Sequence, residues 1–137
     1  MADTLHLRIV TPERLLLDED VDEVTAPGAA GEFGILPNHT TFLSSLQPGR
    51  FSYKQGSQTH VMIVSGGFAE VVDNVMTVLT DTVEFPSDIN VERARAALHK
   101  TEEELKTLSP ADAAFAETHA AFQRAQARID NASAGRN

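Results

Sequence analysis

The chain lacks several residue types and segments, and each absence removes a class of function. Its 137 residues include no cysteine, which excludes disulfide bonds, thiolate metal ligands and a cysteine nucleophile. No run of about 18 or more apolar residues occurs, so no segment has the length of a membrane-spanning helix. The stretch from Met1 to Thr4 lacks the basic and apolar regions of a signal peptide. We therefore expect the chain to remain in the compartment where it is made.

Basic residues are scarce. The chain has 11 of them against 20 acidic residues, for a formal net charge of −9. Residues 1–87 hold 12 acidic and 4 basic side chains, whereas residues 88–137 hold 8 and 7. Such a surface repels the phosphates of nucleic acids and of anionic lipids. We expect no nucleic-acid partner and no direct insertion into a membrane, so that any association with a membrane goes through a protein partner.

Common catalytic and metal-binding motifs are also missing. The five histidines lie far apart in the sequence, without the spacing of a zinc site. The chain has no phosphate-binding loop of the Gly-x-x-x-x-Gly-Lys-Ser/Thr type, so we expect it not to hydrolyse ATP. The acidic run from Asp18 to Glu23 lacks the glycine of a calcium loop, and we interpret it as a solvated turn. These patterns give no candidate catalytic or metal-ligating residue, and we expect no metal site.

The first part of the chain has the hydrophobic period of β-strands. Leu5, Leu7 and Ile9 alternate with other residues, as do Val61, Ile63 and Ser65, and further on Val75, Thr77 and Leu79. Turn residues recur about every 8 to 12 positions, and Gln47-Pro48-Gly49 and Val72-Asp73-Asn74 resemble hairpin turns. Residues 1–86 are therefore predicted to form a sandwich or barrel of short antiparallel strands.

After Pro86 the period becomes helical. Ser109 and Pro110 predict the N-cap and first turn of a second helix, so residues 87–137 are predicted to form an antiparallel two-helix hairpin. The two seams are rich in alanine and bury little area. A hairpin fixed on the β domain and one that undocks at modest cost both fit this pattern. The apolar or small seam positions are 91, 94, 98, 101, 105 and 108, then 111, 115, 118, 122, 125 and 129.

Two glycine-rich segments favour special backbone geometry. Three glycines between Gly28 and Gly34 alternate with apolar residues that end in Pro37. This segment fits either a hairpin that folds its apolar residues into its own core or a surface that contacts a partner. The Gly66-Gly67 pair predicts either a tight corner or the close approach of another backbone.

The chain resembles the epsilon subunits of F-type ATP synthases over nearly its whole length. The resemblance lies in the segment Gly31-Glu32-Phe33-Gly34-Ile35-Leu36-Pro37-Asn38-His39, in Ser65-Gly66-Gly67-Phe68-Ala69-Glu70-Val71, and in Val78-Leu79 followed by Asp81-Thr82. It implies a ten-stranded β-sandwich followed by two antiparallel helices. It also implies a subunit of the rotor's central stalk that binds the gamma subunit and the membrane-embedded ring of c subunits.

The resemblance further implies regulation and a location. The helical hairpin of this family folds against the sandwich in a compact form. In an extended form it reaches the alpha and beta subunits of the catalytic head and blocks ATP hydrolysis. The expected location is the cytoplasmic face of the bacterial inner membrane, as a peripheral part of the complex.

Site residues follow from the same resemblance. For the contact with the c-ring they are Gly31, Glu32, Phe33, Ile35, Leu36 and His39. For the contact with the gamma subunit they are Gly66, Gly67 and Phe68, with the tight corner as the alternative explanation of the two glycines.

Some family members bind ATP on the compact hairpin as a regulatory ligand, through a pattern of the type Ile/Leu-Asp-x-x-Arg-Ala. The chain has Asn90 in place of the aspartate. The same basic residues also fit a solvated charged face or a contact with acidic segments of the catalytic head. A free-standing ATP sensor is a competing function, and no cofactor is required in either case. The candidate ATP-binding residues are Glu84, Ile89, Asn90, Arg93, Ala94, Lys100, Arg124 and Arg128.

Overall fold

A computed structural model describes residues 3–133, in which ten β-strands precede two α-helices. This order is the one that the change of period at Pro86 predicts. A short 3-10 helix, Pro86–Asp88, connects the strands to the helices. The strands are β1 (Leu5–Val10), β2 (Leu15–Val21), β3 (Glu23–Gly28), β4 (Gly31–Ile35), β5 (Phe42–Leu46), β6 (Gly49–Gln55), β7 (Gln58–Val64), β8 (Gly67–Val72), β9 (Val75–Leu79) and β10 (Val83–Glu84), and the helices are α1 (Val91–Thr107) and α2 (Phe115–Asn131).

The ten strands form one hydrogen-bonded sheet that folds over on itself. Its order is β10-β7-β6-β3-β5-β8-β9-β1-β2, with β4 also paired to β3. Strand β3 pairs with β4 and β6 but meets β5 only where Gly28 lies opposite Leu46. We call β10, β7, β6, β3 and β4 the helix-side leaf, because α2 contacts β6 and β7. The remaining five strands form the outer leaf. Together the leaves make the predicted β-sandwich.

The sandwich core confirms part of the predicted alternation. Leu5, Leu7 and Ile9 of β1 are completely buried. The prediction for β9 was wrong, because the inward residues are Met76 and Val78 rather than Val75, Thr77 and Leu79. Strand β9 runs parallel to β1, and its pairing places Met76 beside Leu7 and Val78 beside Ile9. Neighbours across a ladder share a face, so these two side chains point into the core.

Strand β7 is covered on both faces, which obscures its alternation. Met62 and Val64 belong to the sandwich core, whereas Ile63 lies in a second apolar cluster beneath the helices. Three consecutive buried residues are expected where both faces of a strand are covered.

One of the two predicted hairpin turns is confirmed. Asp73 and Asn74 join β8 to β9 with φ values of 48° and 64°, the backbone that a two-residue hairpin requires. The prediction for Gln47 to Gly49 was wrong. This segment leads from the outer leaf to the helix-side leaf, and the Gln47 amide donates to the carbonyl of Pro27 at 2.9 Å.

The helical hairpin begins as predicted, but its second helix starts late. Asn90 caps α1 by accepting a hydrogen bond from the Arg93 amide at 3.0 Å. The predicted N-cap at Ser109 was wrong. The Ser109 hydroxyl accepts from the Ala111 amide, while the Asp112 carboxylate accepts from the Ser109 amide at 2.6 Å. These local bonds hold a turn instead of a helix start, and α2 begins only at Phe115.

Candidate functional site

The β3–β4 hairpin and the segment after it form the predicted c-ring contact. Glu32 is exposed and Leu36 is 57% exposed, whereas Ile35 is only 1% exposed. Ile35 lies opposite Val24, which is itself buried in the sandwich core. The prediction that Ile35 anchors a partner was therefore wrong for its side chain. Gly31, with a φ of 132°, opens β4 in a backbone conformation that favours glycine.

We call the β3–β4 hairpin and the segment that follows it, up to His39, the tip. Aromatic contacts hold its shape. The rings of Phe33 and Phe42 lie 5.0 Å apart, and the ring of His39 meets Phe42 edge-on at 5.7 Å. Phe33 also packs against the sandwich core, and His39 donates from Nδ1 to the carbonyl of Thr40 at 2.9 Å. Phe33 and His39 thus pack against neighbouring residues of the chain and stabilise the tip, while Glu32 and Leu36 form its exposed surface.

The glycine pair makes a close approach within the chain itself. Gly66 and Gly67 have φ values of 116° and 118°. A Cβ atom at Gly67 would lie 1.9 Å from the carbonyl oxygen of Leu79. The tight corner therefore explains both glycines without a partner. Phe68, which follows them, is 57% exposed on the outer leaf.

An exposed apolar row crosses the outer leaf from Phe68. Phe68 lies opposite Leu79 on β9, Leu79 lies beside Val10 on β1, and Val10 lies opposite Leu15 on β2. Leu79 is 50% exposed, and Leu15 and the nearby Leu43 are exposed as well. Sequence reasoning found only Phe68, because it grouped Leu79 with Val75 and Thr77 as one alternating set of a strand. Its signal was present in the run Val75–Leu79, where both alternating sets are apolar or nearly so.

Six of the eight predicted ATP-binding residues line one cleft between β10, the 3-10 helix and the hairpin. The cleft has a volume of about 590 Å³. The lining of the cleft includes the acidic residues Glu84 and Asp88 as well as the basic residues Arg93 and Arg128. Its charge is therefore mixed and not purely positive. The six are Glu84, Ile89, Asn90, Arg93, Ala94 and Arg128.

The other two predicted residues lie elsewhere. Arg124 lines a narrow groove that it shares with Glu84 and Arg128. Lys100 is not part of the cleft: its side chain is 76% exposed and pairs with Glu104 at 4.0 Å. The prediction that Lys100 belongs to the candidate ATP-binding set was wrong. It stands seven residues after Arg93, which carries it about 10 Å further along the helix axis.

A bidentate ion pair closes one side of the cleft. Arg128 donates from Nε to Oε2 of Glu84 at 2.6 Å and from Nη2 to Oε1 at 2.8 Å. The two side chains are 30% and 35% exposed. Paired N–H donors on a carboxylate give both strength and a defined orientation.

A separate polar cluster lies at the far edge of the outer leaf. Nδ1 of His6 is 2.8 Å from Asp20, and Nε2 contacts Asp18. The hydrogen bond to Asp20 and, to a smaller extent, the one to Asp18 raise the pKa of the His6 imidazole. Within residues 3–133 no group of three or more histidine or acidic side chains is placed to hold a metal ion.

Two family models match this chain in succession. Residues 4–86 match the model described as the beta-sandwich domain of the ATP synthase delta/epsilon chain. Residues 87–133 match the long alpha-helix domain of the same chain. The chain belongs to the ATP synthase delta/epsilon family. The predicted family is thus confirmed, and with it the sandwich followed by two helices.

Individual members of the delta/epsilon family agree with this assignment. The chain is 44% identical over 135 residues to "ATP synthase epsilon chain 2" of Syntrophotalea carbinolica, covering 98% of each. It is 49% identical over 129 residues to the ATP synthase epsilon chain of Nitratidesulfovibrio vulgaris, covering 94% of this chain and 96% of that one. These names do not favour the alternative of a free-standing ATP sensor.

Solved structures of ATP synthases contain the same fold. A chain in the Euglena gracilis mitochondrial ATP synthase, described as OSCP/F1/c-ring, matches with a TM-score of 0.80 at 25% identity, covering 92% of this chain and 79% of that one. A chain of the Tetrahymena thermophila central stalk and c-ring matches in fold with a TM-score of 0.58 at 18% identity. Among residues 3–133 neither helix is long and apolar enough to cross a membrane.

Proposed function

We propose that the chain is a noncatalytic rotor subunit in the central stalk of a proton-translocating ATP synthase. It links the gamma subunit to the c-ring at the cytoplasmic face of a bacterial inner membrane and restrains ATP hydrolysis through its helices. The observation that carries the proposal is the match of both domains, in order, to ATP synthase epsilon chains over 94–98% of the chain.

Two exposed surfaces of the sandwich suit two partners. The tip offers Glu32 as a charged contact and Leu36 as an apolar one toward the c-ring, with Gly31, Phe33 and His39 setting its shape. The apolar row through Phe68 and Leu79 offers a surface for the gamma subunit. Contiguous exposed apolar area marks contact surfaces of soluble proteins, and central aromatic residues contribute much of the binding energy.

A reconstitution experiment tests the rotor role. The purified chain is added to an ATPase that lacks its epsilon subunit, and binding and hydrolysis are both measured. We expect the chain to bind and to lower the rate of hydrolysis. Phe68→Glu should weaken binding, whereas the control Thr59→Glu, at an exposed position of β7, should not. Failure of the chain to bind or to inhibit would contradict the proposal.

The regulatory role of the hairpin needs its own test. A chain shortened after Asp88 should still bind the depleted ATPase, which also checks that the sandwich remains folded, but it should no longer inhibit. Unchanged inhibition would remove the role assigned to α1 and α2.

The cleft supports a second, additional function: ATP binding as a regulatory ligand. Six of the eight candidate residues line the same 590 Å³ space, and the Arg93 and Arg128 guanidinium groups suit phosphate oxygens. Titration calorimetry with ATP on the isolated chain tests this. Binding should be lost in Arg93→Ala and kept in Arg95→Ala, an exposed arginine of α1 that does not line the cleft. Absence of binding by the unmodified chain would leave the cleft without this ligand.

A further inference from the structure

The Glu84–Arg128 ion pair connects the sandwich to the helical hairpin close to the segment that joins them. Glu84 belongs to β10, a strand of two residues at the edge of the sheet, and it immediately precedes the segment that leads into the helices. Arg128 lies near the end of α2. The pair therefore ties the last residues of the sandwich to the last turns of the hairpin, 44 positions apart in sequence.

Little else fastens the hairpin to the sandwich. The apolar cluster between them is small: its buried members are Ile63, Ile89, Ala94, Ala127 and Ala132, and the partly buried Val91 and Ile129 pack against it. Alanine methyl groups bury little area, so this cluster contributes much less than a core of large side chains. The one other polar contact that we identify between α2 and the sandwich in the described residues joins Gln123 to Gln47 at 2.8 Å, and it is uncharged.

We propose that the Glu84–Arg128 pair is a latch that holds the hairpin on the sandwich without any nucleotide, and that its opening frees α2. This inference rests on the proposed function, in which the hairpin has two positions. A bidentate arginine–carboxylate pair is directional, so it holds one docking geometry and is lost once the helix shifts. Arg128 also lines the cleft. An acidic segment of a partner subunit that takes its guanidinium therefore competes directly with Glu84.

Hydrogen exchange of the isolated full chain, followed by mass spectrometry, tests the latch. Glu84→Gln keeps the side-chain shape but removes the charge. We expect the amides of α2 to exchange about three- to tenfold faster in this variant at low ionic strength, with the amides of β1 unchanged. Raising the salt concentration should accelerate α2 in the unmodified chain but barely change it in the variant, because salt screens the partly exposed pair.

A matched control uses another glutamate–basic pair. Lys106 donates to Glu103 at 3.0 Å, and both partners belong to α1, so the pair does not join the hairpin to the sandwich. The hydrogen bond from Lys106 lowers the pKa of the Glu103 carboxyl, so Glu103→Gln also removes a working ion pair. This variant should leave the exchange of α2 unchanged. An equal effect of both variants would overturn the latch, since it would report only the loss of a negative charge.

A charge swap covers the case in which Glu84→Gln loosens the whole fold. If β1 also exchanges faster, the double variant Glu84→Arg with Arg128→Glu should restore protection of α2 relative to either single variant. No restoration, or unchanged exchange in Glu84→Gln, overturns the proposal. The readout is independent of the rotor role, because a chain that fails to bind the depleted ATPase still reports whether its hairpin is latched.

Discussion

The sandwich and the hairpin are stabilised in different ways although they belong to one chain. The sandwich closes over large side chains such as Phe51, Leu5 and Met76, which are completely buried. The hairpin docks on the helix-side leaf through a small apolar cluster of isoleucines, alanines and Val91, together with a few polar contacts. The difference teaches that the sandwich depends on a core of large side chains, whereas the hairpin is attached by fewer and smaller contacts and should undock at a lower free-energy cost.

The largest expected effect concerns the centre of the sandwich. Phe51→Ala removes a completely buried ring and should lower the free energy of unfolding by about 3 to 5 kcal/mol. The matched control Phe68→Ala removes an exposed ring and should change it by less than about 0.5 kcal/mol. Urea denaturation of the full chain measures both. Similar losses in the two variants would remove the distinction between core and contact surface.

The glycine corner comes next. Gly67→Ala combines a disfavoured φ with a clash against the Leu79 carbonyl and should lower the free energy of unfolding by at least about 2 kcal/mol. Gly56→Ala has a φ of 60° but open space around it, so it should cost only about 1 kcal/mol. Equal losses would mean that φ alone makes glycine necessary at position 67.

A smaller effect is expected at the start of the hairpin. Asn90→Ala removes the side-chain acceptor of the α1 cap and should cost about 1 kcal/mol, seen as faster hydrogen exchange in the first turn of α1. Asn90→Asp keeps an acceptor and should preserve the protection. Faster exchange in β1 as well would show that the hairpin and the sandwich unfold together and are not stabilised separately.

The smallest effect is a pH dependence within the sandwich. The aspartates raise the folded pKa of His6 above its unfolded value of about 6.5. The contribution of protonated His6 to the free energy of unfolding is therefore complete below a pH of about 6.5, and it is lost as the pH rises through the folded pKa. The side chains of His6, Asp18 and Asp20 are 37%, 45% and 66% exposed. The change in the free energy of unfolding should therefore not exceed about 0.5 kcal/mol. Urea denaturation at several pH values should show this slope in the unmodified chain and in His99→Gln, but not in His6→Gln.

Much of the fold was predictable because local pattern and burial agree. The alternation at Leu5, Leu7 and Ile9 matches a strand with one covered face, and Asp73-Asn74 is the turn its backbone requires. The alternation did not predict the buried face where the two faces of a strand are similarly apolar. In β9 both alternating sets are apolar or nearly so, and only the parallel pairing with β1 makes Met76 and Val78 the inward set. The turn at Ser109 had two competing solutions, and local hydrogen bonds decided between them.

The candidate sites were predictable in the same partial way. The motif from Gly31 to His39 located the tip, but its alternation did not reveal that Ile35 points inward while Leu36 points outward. The pattern from Ile89 to Ala94 located the cleft. Lys100 was included because it follows Arg93 on the same helix, and this was wrong because seven residues move it about 10 Å away along the helix axis.

The sequence alone determined the order of the elements, the change from strand to helix near Pro86, and the family. These depend on periodicity and on short motifs, which neighbouring residues carry by themselves. Only the tertiary structure decided which apolar side chains remain exposed in the row through Phe68 and Leu79. It alone also brought Arg128 onto Glu84. A period defines the faces of an element but not which face is covered, and contacts between distant residues depend on how the elements dock.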